Sequence, residues 1–157
     1  MRFITLFLLV GVLLAPAARA QQGGLLDGVD GIVTRPSRYG VVDAMARIEA
    51  FALSSGAKVI ARVDMADLAH KAGVKIPPNQ LLIFDPGKLV GPLVQQAPMA
   101  ALDLPFKVLV WEDAAGHAWI SYANATALTR RFAVDPASAG VRDANSELES
   151  ILTTAMK

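Results

Sequence analysis

The 157-residue chain contains no cysteine, which excludes disulfides, thiolate metal sites and cysteine nucleophiles. Neither sign of charge dominates, with 15 basic and 14 acidic residues, so the electrostatic footprint of a nucleic-acid-binding protein is missing. The sequence also lacks the compact motifs of serine hydrolases, phosphate-binding loops, dinucleotide-binding folds and zinc proteases. These absences leave a fold held by its hydrophobic core and no recognisable catalytic motif.

The apolar run at the N-terminus, Phe3 to Leu14, is about a dozen residues, whereas a membrane-spanning helix needs roughly 20. It follows the basic Arg2, and Ala18 and Ala20 supply the small residues that signal peptidase requires. We therefore predict a signal peptide over residues 1–20, cleaved before Gln21, and a flexible leader over residues 21–30. The protein is expected to be periplasmic or secreted, with no stable membrane anchor.

Residues 31–157 are predicted to form a single α+β domain. Apolar residues with helical spacing alternate with short β-prone runs in the order β-α-β-α-β-α-β-β-α-α. The last two strands, Phe106 to Glu112 and Ala118 to Tyr122, are joined by a tight turn and must therefore be antiparallel. The expected fold class is a single, largely antiparallel sheet with helices packed on one face.

The turn between these strands, Asp113 to Gly116, predicts their register. With glycine at the left-handed position of the turn, Asp113 faces His117 and Trp111 faces Trp119. One face of the hairpin is then almost wholly apolar and is expected to lie under the helices. The other is amphipathic and carries Lys107, Leu109, Trp111, Trp119 and Ser121.

The strand at residues 57–63 alternates between two sets of side chains, which predicts one buried side. Val59, Ala61 and Val63 form the apolar set, and Lys58, Ile60 and Arg62 form the other. Lys58 and Arg62 would then share the face of the tryptophans. Two tryptophans on a face without helices need cover from a second subunit, a ligand, or a loop or the leader. The predicted ligand or dimer surface comprises Lys107, Trp111, Trp119, His117 and Arg62.

The segment from Ala100 to Asp113 closely resembles the one that marks the family called domain of unknown function 302. In that family an Ala-Leu-Asp-Leu-Pro run leads into an apolar strand ending Trp-Glu-Asp, as it does here. Pro77 to Phe84, upstream, is similar to the family's proline-containing strand. The turn Asp85-Pro86-Gly87 departs from the family's Gly-Asn-Pro. The resemblance implies an α+β fold with helices on a single antiparallel sheet, a homodimer, and no established reaction.

The favoured hypothesis is a non-enzymatic homodimeric binding module for a small ligand or a protein partner, with no cofactor. One alternative is an enzyme that uses carboxylates and His117 in a shared cleft. Another is a metal or haem binder at a dimer interface, because His117 lies near Glu112 and Asp113. A deep polar pocket with a strongly perturbed acid would favour the enzyme.

Overall fold

A five-stranded antiparallel sheet is the frame of residues 31–157, the part of the chain that the computed structural model describes. The predicted signal peptide and leader, residues 1–30, lie outside the described residues. The strand order is β1-β5-β4-β3-β2. The strands are β1 (Ile32–Pro36), β2 (Lys58–Asp64), β3 (Asn79–Asp85), β4 (Phe106–Glu112) and β5 (Ala118–Ala123).

Five α-helices connect or follow these strands within residues 31–157, in the predicted order. They are α1 (Val41–Ser54), α2 (Met65–Lys71), α3 (Val90–Gln96), α4 (Thr126–Phe132) and α5 (Ala139–Ala155). A short 3-10 helix over Pro98–Leu102 was not predicted. In this part of the chain, no helix is long and apolar enough to cross a membrane.

The hydrophobic core lies between the sheet and the helices α1 and α5. The apolar face of α1, which includes Met45 and Ile48, is fully buried, as are Leu148 and Ile151 of α5. The sheet contributes side chains that alternate along each strand, as a half-buried sheet requires. These are Leu82, Phe84, Phe106, Val108, Val110, Ile120 and Tyr122. The predicted α+β class, with helices on one face, is confirmed.

A polar cluster fixes α5 to the edge of the sheet. Arg35 of β1 donates to both carboxylate oxygens of Glu149 on α5, at 2.9 and 3.0 Å. The hydroxyl of Tyr122 on β5 donates to the same carboxylate. Burial, reinforced by the bond to Glu149, raises the pKa of Tyr122 above its ordinary value. Its hydroxyl therefore stays protonated and remains a donor at neutral pH.

Strand β2 departs from the predicted alternation because it contains a β-bulge. Its register against β3 shifts between Val59 and Ala61, so the residues after the bulge point the opposite way. Arg62 is paired with the buried Leu82 and lies on the helix side. There it donates to Glu49 of α1 at 3.1 Å and to Gln80 at 2.7 Å. The prediction that Arg62 shares the tryptophan face is therefore wrong.

Candidate functional site

The face of the sheet turned away from α1 and α5 is named here the open face. Its central side chains are half-buried, in contrast to the fully buried side chains beneath the helices. They come from β1, β5, β4 and β3, which are neighbours in the sheet. These side chains are Thr34, Trp119, Ser121, Lys107, Leu109, Trp111 and Leu81.

The hairpin of β4 and β5 brings the two tryptophans together as predicted. Trp111 is paired with Trp119, and the N–H of Asp113 donates to the carbonyl of His117 at 2.9 Å. Gly116 has φ +83°, the left-handed conformation that this turn requires. The two indole rings stack with centroids 6.3 Å apart and an interplanar angle of 26°. This spacing is within the range of favourable offset aromatic pairs.

Hydrogen bonds within the chain fix the orientation of both indoles. Trp111 donates from Nε1 to Ser121 Oγ at 2.9 Å, and Ser121 in turn bonds Thr34 at 2.9 Å. Trp119 donates from Nε1 to Asp113 Oδ2, also at 2.9 Å. The N–H groups of both rings are thus satisfied within the chain, and the remaining exposed area of the indoles is apolar and fixed in position.

The carboxylate of Asp113 accepts three hydrogen bonds from residues of the hairpin. The pKa of Asp113 is lowered from 3.8 to about 2, mainly because the indole N–H of Trp119 donates to its carboxylate. The backbone N–H of His117 donates to the same carboxylate and adds to the effect. Because the folded-state pKa is depressed, the stabilisation is complete above the unfolded value and is lost as pH falls through about 2. The group is therefore ionised throughout the physiological range.

Replacing Trp119 with phenylalanine is expected to raise the pKa of Asp113 towards 3.8, because the largest cause of its depression is removed. Carboxyl carbon chemical shifts, followed by NMR between pH 5 and about pH 1.5, measure this directly. A His117→Gln variant is the control, because it keeps the backbone donor and removes only a smaller charge effect. An Asp113 pKa that does not move in Trp119→Phe would contradict this assignment.

His117 lies at the exposed end of the open face. Its side chain is 72% exposed, and its Nδ1 is 3.5 Å from Asp113 Oδ2. A cavity of about 500 Å³ adjoins it and is also lined by Tyr39, Glu112 and Trp119. Within residues 31–157, no three His, Asp or Glu side chains converge in a way that could hold a metal ion.

A larger cleft of about 780 Å³ lies at the other end of the open face. Its floor includes Leu81 and Leu109 of the open face, and its rim is formed by the 3-10 helix and α4. The sequence placed Lys107 on the face of the tryptophans but did not predict the cleft. The cleft depends on the positions of α4 and of the 3-10 helix, which was not predicted.

Charged side chains are held at the rim of this cleft. The Lys107 ammonium donates to the backbone carbonyls of Asp103 and Pro105, at 2.8 and 3.0 Å. Arg131 contacts both carboxylate oxygens of Asp103 at 3.0 Å. Asp103 therefore neutralises Arg131, whereas the interactions of Lys107 are with uncharged carbonyls.

A second apolar surface lies around α2, far from the tryptophans in the strand order. Helix α2 has no buried residue, and Leu68 on it is 49% exposed. Exposed Ile60 lies on β2, and exposed Val74 and Ile76 lie in the segment that joins α2 to β3. The described residues thus leave apolar side chains exposed at two separate places, the open face and α2.

The architecture and the residue pattern both match one known family. A family model, described as Domain of unknown function DUF302, matches residues 33–155. The chain belongs to the DUF302 family. The crystal structure of an uncharacterized conserved DUF302 protein from Bacillus stearothermophilus has a TM-score of 0.66 at 17% identity. The alignment covers 82% of this chain and 97% of that one, so the two share a fold.

Curated relatives of this DUF302 chain are named for a transport activity. Fluoride-specific ion channel FluC 1 of Brucella suis is 37% identical over 101 residues, which is 64% of this chain and 40% of the relative. FluC 1 of Brucella abortus and FluC 2 of Brucella melitensis match at the same identity over 37% of their length. The chain thus spans about 40% or less of the curated relatives that it matches.

Proposed function

We propose that this chain is an exported, non-enzymatic binding module that pairs with a second copy of itself through the tryptophan end of the open face. The observation that carries the proposal is the stacked pair of Trp111 and Trp119, half-buried on the face turned away from the covering helices. Tryptophan is enriched in the buried centres of protein interfaces, where it contributes much of the binding energy.

The fixed orientation of the indoles supports this role. Internal hydrogen bonds to Ser121 and Asp113 already restrict the two side chains, so little further conformational freedom is lost on association. The surrounding Thr34, Ser121 and His117 provide polar groups around the aromatic centre. An apolar centre with a polar rim is the usual composition of a specific interface.

The surroundings of two carboxylates, Asp113 and Asp64, favour a binding role over an enzymatic one. Backbone and side-chain donors lower the pKa of Asp113, through Trp119 above all, and of Asp64, through the N–H of Asp67 above all. A general acid at neutral pH needs the opposite shift, towards 7. Both carboxylates serve as local structural acceptors, Asp64 at the N-terminus of α2 and Asp113 in the hairpin turn.

Native mass spectrometry of freshly exported protein tests the proposal. The expected result is a dimer of chains that begin at Gln21, since residues 1–20 are predicted to be removed. The same spectrum reports any small molecule that copurifies. Chains that retain residues 1–20 would contradict the predicted cleavage, and a monomer at micromolar concentration would contradict the pairing.

The curated relatives suggest a second candidate, a role beside a fluoride channel. It rests on the 37% identity with proteins named fluoride-specific ion channels, of which the match covers 40% or less. Under this candidate, deleting the gene makes the host more sensitive to fluoride, and expressing the mature chain in the same compartment restores growth. Unchanged growth over a fluoride series, with chloride as the control salt, would remove the candidate.

A further inference from the structure

We propose that the 780 Å³ cleft at the Lys107 end of the open face binds an organic anion with an apolar tail, and that Lys107 holds the anionic group. This inference deepens the proposed binding function by naming a ligand class. It does not depend on the pairing of two copies, because the tryptophan pair lies at the other end of the face.

The size and the lining of the cleft favour an apolar tail. A volume of about 780 Å³ lies within the ordinary range for small-molecule sites. The lining is formed largely by aliphatic and aromatic side chains, among them Leu81, Leu104 and Leu109. Two lining residues remain unusually exposed for their type, Leu102 at 68% and Ile32 at 37%. A tail lying between them would remove this apolar surface from water.

The charge of the cleft favours an anionic head group. No carboxylate among residues 31–157 pairs with the Lys107 ammonium, which uses two of its hydrogens on the carbonyls of Asp103 and Pro105. An ammonium has three donors, so one remains for a ligand. The carbonyl bonds also hold the charge in place beside the apolar wall. A carboxylate bound there would make a charge-assisted hydrogen bond, which is stronger than a neutral one.

The ion pair between Asp103 and Arg131 limits how strongly the rim of the cleft attracts an anion. Asp103 neutralises Arg131 and adds a negative charge to the rim of the cleft. Removing that charge leaves the Lys107 contact intact, because Lys107 bonds the backbone carbonyl of Asp103 and not its side chain. The two rim residues therefore give variants with opposite expected effects on anion binding.

Isothermal titration calorimetry of the mature chain with decanoate, below its micelle concentration, tests the inference. Decanoate is expected to bind, whereas acetate and decyltrimethylammonium bind at least tenfold more weakly, because each lacks one of the two recognised features. Lys107→Met is expected to weaken decanoate binding about tenfold or more. Asp103→Asn is expected to strengthen it about twofold to fivefold. The matched control, Lys75→Met, alters an exposed lysine outside the cleft and leaves binding unchanged.

Three results would overturn the inference: no heat of binding with decanoate, equal binding of decanoate and decyltrimethylammonium, or equal affinity in Lys107→Met and wild type. Circular dichroism checks that Lys107→Met is folded, and if it is not, the head-group comparison and Asp103→Asn decide. Failure here is distinguishable from failure of the proposed pairing. Calorimetry reports the ligand, whereas native mass spectrometry reports the number of chains.

Discussion

Leu82→Ala is expected to lower the free energy of unfolding by about 2–5 kcal/mol. Leu82 is fully buried between the sheet and the helices, so its loss removes apolar contacts and leaves a cavity. A typical domain has a total stability of only about 5–15 kcal/mol, which makes this a large fraction of the whole. Chemical denaturation of the purified variant and wild type, at a protein concentration low enough to give monomers, measures the loss.

Leu81→Ala is the matched control, since the same residue type stands next in sequence on the opposite face. Leu81 is only half-buried on the open face, so its truncation is expected to cost clearly less than that of Leu82. The comparison tests directly which face of the sheet is the core. Equal losses in the two variants would mean that the open face is also packed in the monomer, and the proposed binding face would lose its basis.

Trp111→Ser is expected to weaken the dimer by about 2 kcal/mol or more, the effect of truncating a hot-spot residue of an interface. That corresponds to a dissociation constant roughly 30-fold higher. The monomer should remain folded, because Val108, Val110 and Ile120 lie on the other face and keep their contacts. Sedimentation velocity across a concentration series, with circular dichroism on the same samples, measures both quantities.

The control for Trp111→Ser is Leu68→Ser, on the second apolar surface around α2. Leu68 is exposed and lies outside the proposed interface, so the Leu68→Ser substitution is expected to leave the dimer unchanged. If Leu68→Ser dissociates the dimer and Trp111→Ser does not, the interface lies at α2. If Trp111→Ser unfolds the chain, at a cost of about 3–5 kcal/mol, the tryptophan belongs to the core.

Much of this fold could be predicted because local chemistry specifies it. The hairpin turn has an aspartate and a glycine at the positions that its geometry requires, and this determines the register of β4 and β5. Once the register is known, the alternation of side chains along each strand puts Trp111 and Trp119 on one face and the apolar residues on the other. In the same way, the helical spacing of Met45, Ile48 and Ala52 is enough to specify the buried side of α1.

The predictions from sequence failed or were incomplete where tertiary structure overrides the local pattern. A bulge in β2 reverses its alternation after Val59, so Arg62 reaches Glu49 on α1 instead of the tryptophan face. The start of α5 at Ala139 is likewise fixed by a cap and not by apolar spacing, because Ser138 accepts from the N–H of Val141. The Lys107 cleft needs the 3-10 helix and α4 to stand beside the sheet, which no periodicity in the sequence encodes.

The most direct test of the binding face is tryptophan fluorescence measured on the sedimentation samples. The chain has two tryptophans, and both lie on the open face, so their emission reports this surface alone. We expect the dimer to form as the protein concentration rises, and the emission to shift to shorter wavelength in step with it, because the indoles leave water. A monomer at all concentrations, or a dimer whose emission stays constant, would contradict this expectation.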